Sequence, residues 1–260
     1  RTRYPFVSGK DNWDQAKFAA AIEAQDEPTA LRLMRGGLDL SLSNDEWRRI
    51  LATVALAHYA DFGHALIYAV KTIELTAMLG PAVAEPVLSA YVRGLCYGQR
   101  DDLLPEFRTY ADELARWGTA DKEIGSIGVE QLLRSSAKSA MAMTRNWSST
   151  TSLQVIFHVL LDAAAWQLLH ADEERFWSID QRLSENANWP DLTHALTFAE
   201  AGLQIAAVAP ELWPAILLQL ACFIGRNNAF VDPKYDVSRY QVEDSERFWD
   251  EMRVRLLDHG

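Results

Sequence analysis

The amino-acid sequence predicts an all-α fold, a helical bundle built from two repeated halves with pseudo-twofold symmetry. Apolar residues recur at the three- and four-residue spacing of helices along almost the whole chain. The alternating β-branched runs and Asn-Gly turns that indicate strands are missing. The chain also resembles itself after a shift of 130 residues, which is half its length.

The first half shows start and stop signals for seven helices. One helix follows Asp11, with Asp14 near its positive end, and a second ends at the Gly36-Gly37 break. Residues 43–46 read Ser-Asn-Asp-Glu and predict the cap of a third helix. Helices are then predicted at about 61–79, stopped by a Gly-Pro pair, at 83–97, in a short stretch after residue 98, and at 122–143.

The second half shows the same kind of pattern after a polar stretch at 146–152. Helices are predicted at 153–170, 172–184, about 191–210, 212–225 and 246–257. The polar stretch is rich in Ser and Thr and is typical of a linker. We therefore expect a first helical half at 1–145 and a second at 153–260, packed as one compact domain.

The internal repeat is clearest at two helix starts. A gapless shift of 130 places Asp61 on Asp191 and His64 on His194, within the shared pattern Asp-x-x-His-Ala-Leu-x-aromatic-Ala. We expect each Asp to be a helix N-cap, which is the ordinary use of an Asp at such a position. Each His then lies at the positive end of a helix, where the dipole disfavours the imidazolium form. A pseudo-twofold axis could bring His64 and His194 together; the ordinary alternative is that each packs separately.

Other polar residues are weaker candidates. His158 and Asp162 are four residues apart on one predicted helix face, a spacing that suits two metal ligands or a carboxylate that orients an imidazole. His58 lies just before the first signature. A metal set of His64, His194, His158 and His58 is therefore one hypothesis, with His64, His194 and His158 as catalytic candidates. Residues 226–228, Arg-Asn-Asn, are interpreted as a helix C-cap rather than as a polar rim.

Composition excludes several classes of function. The net charge of −11 and the lack of a Lys/Arg cluster argue against nucleic-acid binding. The longest apolar run, at 212–225, is shorter than the ~20 residues of a membrane-spanning helix. Only two cysteines occur and no secretion signal is visible, so we expect a cytoplasmic protein. Dinucleotide, phosphate-loop and nucleophile-elbow motifs are missing.

Three stretches of the sequence carry a resemblance. They are HYADFGHALIYAVKTIEL, VRGLCYGQRDDLLPEF, and DLTHALTFAEAGLQIA with its continuation PELWPAILLQLACFIGRN. They resemble the helical region of a bacterial family in which such a region accompanies a Rieske-type iron–sulfur domain, and more distantly the questin oxidase-like family.

The resemblance implies an oxidase or oxygenase acting on an organic substrate, with iron or another transition metal as the expected type of cofactor. It carries over His64 and His194, with Asp61 and Asp191 beside them. A Rieske centre needs two Cys and two His in paired motifs, which this chain lacks. An electron-transfer domain would therefore lie on a partner or elsewhere.

Two further functions stay open beside the helical oxidoreductase. One is a non-catalytic domain that encloses a small molecule or regulates another protein, in which the histidines only recognise the ligand. The other is a helical-repeat interaction module, which two long repeats favour less than many short ones would.

Overall fold

The computed structural model describes residues 7–120, 127–172 and 189–258 and confirms the all-α prediction. Those ranges contain no β-strand, only two isolated bridges. Their helices are α1 (Gln15–Glu23), α2 (Glu27–Asp39), α3 (Asn44–Ala55), α4 (His64–Leu79), α5 (Ala84–Tyr97), α6 (Tyr110–Ala115), α7 (Val129–Leu132), α8 (Ala137–Trp147), α9 (Leu153–Leu169), α10 (Trp189–Val208), α11 (Trp213–Asn227) and α12 (Ser245–Asp258).

Local capping signals explain several boundaries. The Asp14 carboxylate accepts a hydrogen bond from the Lys17 amide at the start of α1. Ser43 and Glu46 form a reciprocal capping box on α3, as predicted. Gly80 ends α4 with a φ of 87°, a conformation that glycine adopts without strain.

Two helix predictions need correction. The break predicted at Gly36-Gly37 is wrong: α2 continues through both glycines to Asp39, and the missing side chains let the helix pack against residues 11–13 and Trp47. The single helix predicted at 122–143 is wrong: α7 ends at Leu132, and Ser136 begins the separate helix α8 by capping it. Residues 121–126 lie outside the described ranges, as does the helix predicted at 172–184 apart from Asp172. In the described ranges, no helix is both long and apolar enough to cross a membrane.

Helix α11 forms the centre of the larger core. Nearly all of its side chains are buried, and it packs against α8, α9 and α10. It approaches α8 so closely that a Cβ on Gly225 would lie 2.3 Å from the Cα of Ala137. Helix α8 belongs mainly to the predicted first half and runs into the predicted joint at 146–152, where it ends at the buried Trp147. It nevertheless packs with helices of the second half.

Helix α4 contributes to two hydrophobic cores. The smaller core is built from α1, α2, α3 and α5, and it includes Ala69 and Ile73 of α4. The larger core surrounds α11 and includes Leu66 and Val70 of α4. Residues three and four apart lie on neighbouring helix faces, so α4 is shared between both cores.

Helices α4 and α10 run side by side in the same direction. Near their N-terminal ends, the rings of His64 and His194 are in contact. Near their C-terminal ends, the Gln204 amide donates a 3.2 Å hydrogen bond to Glu74. Both contacts join residues that are 130 positions apart.

Two short backbone pairings tie the chain together. Residue Ala60, before α4, forms a bridge with Arg100, after α5. In the same way Ala171, after α9, forms a bridge with Val231, after α11. The first bridge positions residues 99–102 beside the segment that leads into α4.

Candidate functional site

His64 and His194 lie in direct contact at the N-terminal ends of α4 and α10. Their ring centroids are 4.3 Å apart and the ring planes cross at 75°, an edge-to-face arrangement. Both side chains are half-buried. The convergence that a symmetric arrangement was expected to produce is thus present in the geometry of these two residues.

A backbone carbonyl orients each imidazole. The Nδ1–H of His64 donates a 2.6 Å hydrogen bond to the carbonyl of Asp61, and that of His194 donates to the carbonyl of Pro190. A carbonyl oxygen can only accept, so Nδ1 carries the proton in both rings. In the neutral tautomer each Nε2 keeps a lone pair, which can accept a proton or bind an electrophile.

The environment of His194 disfavours its charged form. Burial lowers the pKa of His194 below that of a free histidine, and the neighbouring His64 and Arg226 lower it further. The Pro190 carbonyl and Asp191 act in the opposite direction. His194 is therefore mainly a neutral base near pH 7.

The predicted N-cap roles of Asp61 and Asp191 are wrong. Neither the turn at Asp61–Gly63 nor α4 has a side-chain cap, and the Asp61 carboxylate instead accepts a 2.7 Å bond from the amide of Gln99. Asp191 is the third residue of α10, and its carboxylate pairs with Arg226 at 2.7 Å. In each case a distant partner, rather than the helix end, binds the carboxylate.

The segment before His64 has unusual backbone geometry. Asp61, Phe62 and Gly63 have φ values of 49°, 45° and 78°, in the left-handed region that costs a non-glycine residue about 1–2 kcal/mol. Asp101 compensates by accepting a 2.6 Å hydrogen bond from the Phe62 amide. Strained backbone held by its surroundings is common at functional sites.

Arg226, near the end of α11, pairs with Asp191, three residues before His194. Its guanidinium lies over the rings of Phe62 and Phe230, at 4.7 and 5.1 Å from their centroids. The sequence interpretation as a C-cap captured only its place near the end of α11. The sequence feature that could have indicated a role in the site is the position of Arg226 directly after the apolar run at 212–225.

Two buried oxygen-bearing groups lie near Arg226. Asp101 is fully buried, and this burial raises the pKa of its carboxyl to about 6, although hydrogen bonds from Phe62 and Gln99 act against the increase. Tyr59 is also fully buried, and its hydroxyl has no hydrogen-bond partner among the described residues. Burial raises the pKa of this phenol far above its usual value. Neither residue was a candidate from the sequence.

A half-open pocket of about 1010 Å³ adjoins Arg226. We call it the Arg226 pocket; its wall includes Phe62, Phe107, Phe230, Arg226, Lys138 and Glu106. It lies where the loop after α5, the start of α8 and the end of α11 meet. Its size is that of a site for a small organic molecule.

The other predicted histidines lie elsewhere. Both ring nitrogens of His58 face carboxylates, at 2.6 Å from Glu23 and 3.2 Å from Asp102. His158 and Asp162 are exposed on α9. Across residues 7–120, 127–172 and 189–258, no three His, Cys, Asp or Glu side chains converge as a metal site. The structure thus brings together two of the four proposed ligands.

Comparisons with known proteins add no assignment. No family model, no curated protein and no solved structure matches this chain. The resemblance to the Rieske-associated and questin oxidase-like families stays a hypothesis. The geometry of the site therefore supports roles for its residues, whereas the reaction class rests on the resemblance alone.

Proposed function

We propose that this protein is an enzyme of the oxidoreductase class that acts on an organic substrate, with His64 and His194 as its acid–base pair. The observation that carries the proposal is the contact between two imidazoles, each oriented by a backbone carbonyl and each keeping Nε2 for another partner. Oriented bases of this kind contribute typically 10²–10⁴-fold to a reaction rate. The reaction class comes from the family resemblance.

A histidine base fits oxidation of a hydroquinone, a phenol with two hydroxyl groups, to its quinone. This reaction removes two O–H protons and two electrons and breaks no C–H bond, and the neutral His194 can accept one of the protons at Nε2. His64, in contact with His194, can receive a second proton or position the substrate. The electrons pass to an external acceptor, for which the resemblance suggests a Rieske-type partner.

The histidine pair does not by itself make a metal site. Catalytic metal ions in proteins are held by about three protein ligands, and this pair supplies two within the described ranges. The carbonyl-anchored Nδ1 atoms resemble the outer-shell contacts of metal-bound histidines. We therefore assign the pair to acid–base chemistry and no step to a metal.

We also propose that the two halves of the chain are related as structural repeats. In this proposal, α4 corresponds to α10 and α5 to α11, as the gapless shift of 130 residues requires. The support is the packing of α4 on α5 and of α10 on α11, and the two bridges, whose later residues Arg100 and Val231 follow α5 and α11. The in-register contacts between α4 and α10 also support the proposal.

The alternative is a non-catalytic binding domain. The Arg226 pocket favours it, because a pocket of this size with an aromatic wall binds small molecules with or without turnover. In that case the histidines would only recognise the ligand.

The test compares three variants of untagged protein. We expect dye reduction (dichlorophenolindophenol as electron acceptor, hydroquinones as substrates) by the wild type and by His158→Gln, whose imidazole is exposed. In the His64→Gln/His194→Gln double variant, turnover should fall about 100-fold or more. Equal turnover in the double variant would rule out the acid–base role.

Metal analysis of the same preparations decides the remaining point. We expect that the wild type contains no stoichiometric metal that is missing from the double variant. A stoichiometric transition metal present in the wild type and missing from the double variant would replace the acid–base assignment with a metal site.

A further inference from the structure

The Arg226 pocket combines an apolar wall with two cationic side chains, of which Arg226 is paired with Asp191. Phe62, Phe107 and Phe230 line it, and each belongs to a different segment of the chain. Arg226 and Lys138 also line it, against the single carboxylate of Glu106. This balance contrasts with the whole chain, which carries a net charge of −11.

Arg226 is held in place, and most of its N–H donors have no acceptor in the part of the chain that the structure describes. The rings of Phe62 and Phe230 fix the guanidinium, and one nitrogen, Nη1, donates to Asp191. The guanidinium has five N–H donors, and the described residues accept from it only at Asp191. A partly buried cation with unused donors is a natural partner for an oxyanion, especially through two parallel hydrogen bonds.

The start of α8 adds to the positive potential of the pocket. Ser136, Ala137 and Lys138 line the pocket with the first turn of this 11-residue helix. Amides at a helix N-terminus favour a nearby negative charge. Lys138 is exposed and makes no ion pair with a described residue, so its ammonium is available at the pocket rim.

Beneath the aromatic wall lies an unpaired polar group. Tyr59 packs edge-on against Phe107 and Phe62, with ring centroids 5.0 and 6.1 Å apart, and its buried hydroxyl has no partner among the described residues. Buried hydroxyl groups in folded proteins nearly always have a partner in the protein, in water or in a ligand.

We propose that the Arg226 pocket binds an amphipathic organic anion, a small molecule with an apolar body and one carboxylate or similar oxyanion. The apolar body packs against Phe62, Phe107 and Phe230. The oxyanion accepts hydrogen bonds from Arg226, with Lys138 at the rim. The inference rests on the proposed function only for the claim that this anion is the substrate. Binding of the anion is measured without any turnover.

Two fluorescent probes test the charge requirement. The anion 1-anilinonaphthalene-8-sulfonate and the neutral N-phenyl-1-naphthylamine share the same ring system, and only the first carries a sulfonate. We expect Arg226→Met to weaken binding of the sulfonate about 10-fold or more and to change binding of the neutral probe by less than 2-fold. Lys138→Met should weaken only the sulfonate, by about 2- to 3-fold.

Matched variants separate this effect from a loss of folding. Asp191→Asn releases Arg226 from its ion pair, so sulfonate binding should stay equal or tighten. The Asp191→Asn/Arg226→Met variant removes both members of the ion pair, so no unpaired carboxylate is left in the site. It should bind the sulfonate as weakly as Arg226→Met does. Lys17→Met removes an exposed charge on α1, and we expect no effect. Ala229→Trp fills the pocket and should weaken both probes.

The proposal is overturned if Ala229→Trp leaves both probes unaffected, or if Arg226→Met weakens them equally. Competition by 1-naphthoate but not by decanoate would assign the apolar body to an aromatic acid, and the reverse result to an aliphatic one; competition by neither overturns the proposal.

The His64→Gln/His194→Gln variant should still bind the sulfonate. Loss of turnover with retained binding, or the reverse, therefore tells the two proposals apart.

Discussion

The starts of α4 and α10 share a sequence signature but differ in backbone structure. His64 is the first residue of α4 and follows three residues with positive φ. His194 lies five residues inside α10, which is already helical at Asp191. The same nine-residue pattern therefore supports two different backbones, and the side-chain partners account for the difference.

The partners come from different parts of the chain. At α4, residues Gln99 and Asp101 of the bridged segment bind Asp61 and the Phe62 amide. At α10, Arg226 of α11 neutralises Asp191 within a regular helix. The comparison teaches that the signature specifies where the histidines are placed, while long-range contacts decide how each helix begins.

The largest expected difference between the two starts is at Gly63. A Cβ there would lie 2.7 Å from Phe198 and 2.8 Å from Phe223, at a φ of 78°. Gly63→Ala should lower the free energy of unfolding by about 2–5 kcal/mol, through overpacking and backbone strain. Thr193→Ala, the matching position in α10, should cost less than about 1 kcal/mol. Urea denaturation measures both; similar losses would mean that the two starts are equivalent after all.

The two starts should respond to pH in opposite directions: the raised pKa of Asp101 at the α4 start makes stability fall as pH rises, and the lowered pKa of His194 in α10 makes it rise. The pKa of the Asp101 carboxyl is about 6 in the folded protein, raised by burial from an ordinary value of 3.8. The folded state thus keeps a proton that the unfolded chain loses, and stability falls as pH rises from about 4 to about 6. The loss is about 3 kcal/mol at most, at 1.36 kcal/mol per pKa unit.

Unfolding free energies of the wild type and of Asp101→Asn, measured across pH 4–7.5, test this effect. The variant should lack the decline between pH 4 and 6. Parallel pH curves for the two proteins would show that Asp101 does not titrate in this window.

Removal of the two matched carboxylates should have unequal effects. Asp191→Asn leaves Arg226 half-buried without its charge partner, so we expect a loss of about 1–3 kcal/mol in unfolding free energy. Asp61→Asn should cost less than about 1 kcal/mol, because an Asn oxygen still accepts from the Gln99 amide and Asn tolerates positive φ. Thermal unfolding of the two variants gives the order; the reverse order would contradict the assigned partners.

The smallest effect is expected at the far ends of the two helices. The Glu74–Gln204 hydrogen bond joins two half-buried side chains, and the Lys71–Glu200 contact at 3.9 Å joins two exposed ones. Gln204→Ala and Lys71→Ala should each change the unfolding free energy by less than about 0.5 kcal/mol. A loss above 1 kcal/mol in denaturant titrations would show that the α4–α10 register depends on these polar contacts.

Much of the fold follows from local signals in the sequence. Helix stops such as Gly80 and the Ser43 capping box depend on neighbouring residues, so they were predictable. The contact of His64 with His194 was suggested by the 130-residue shift. The helix boundaries and the histidine contact were predictable because each depends on a sequence pattern of a few residues.

The remaining features depend on residues far apart in sequence. Asp61 binds an amide 38 residues away, and Arg226 reaches Asp191 35 residues away. No local pattern announces either contact, so the caps were assigned wrongly and Arg226 was given a minor role. The left-handed turn before His64 was equally hidden, because its compensation comes from Asp101.

The sharing of α4 between two cores has a consequence for folding. Leu66 and Val70 are buried with α11, while Ala69 and Ile73 are buried with α2 and α5. If either core unfolds, α4 loses the packing on one of its faces. Unfolding of one core therefore destabilises the other. The chain should therefore unfold in one cooperative step, with a calorimetric enthalpy equal to the van't Hoff enthalpy.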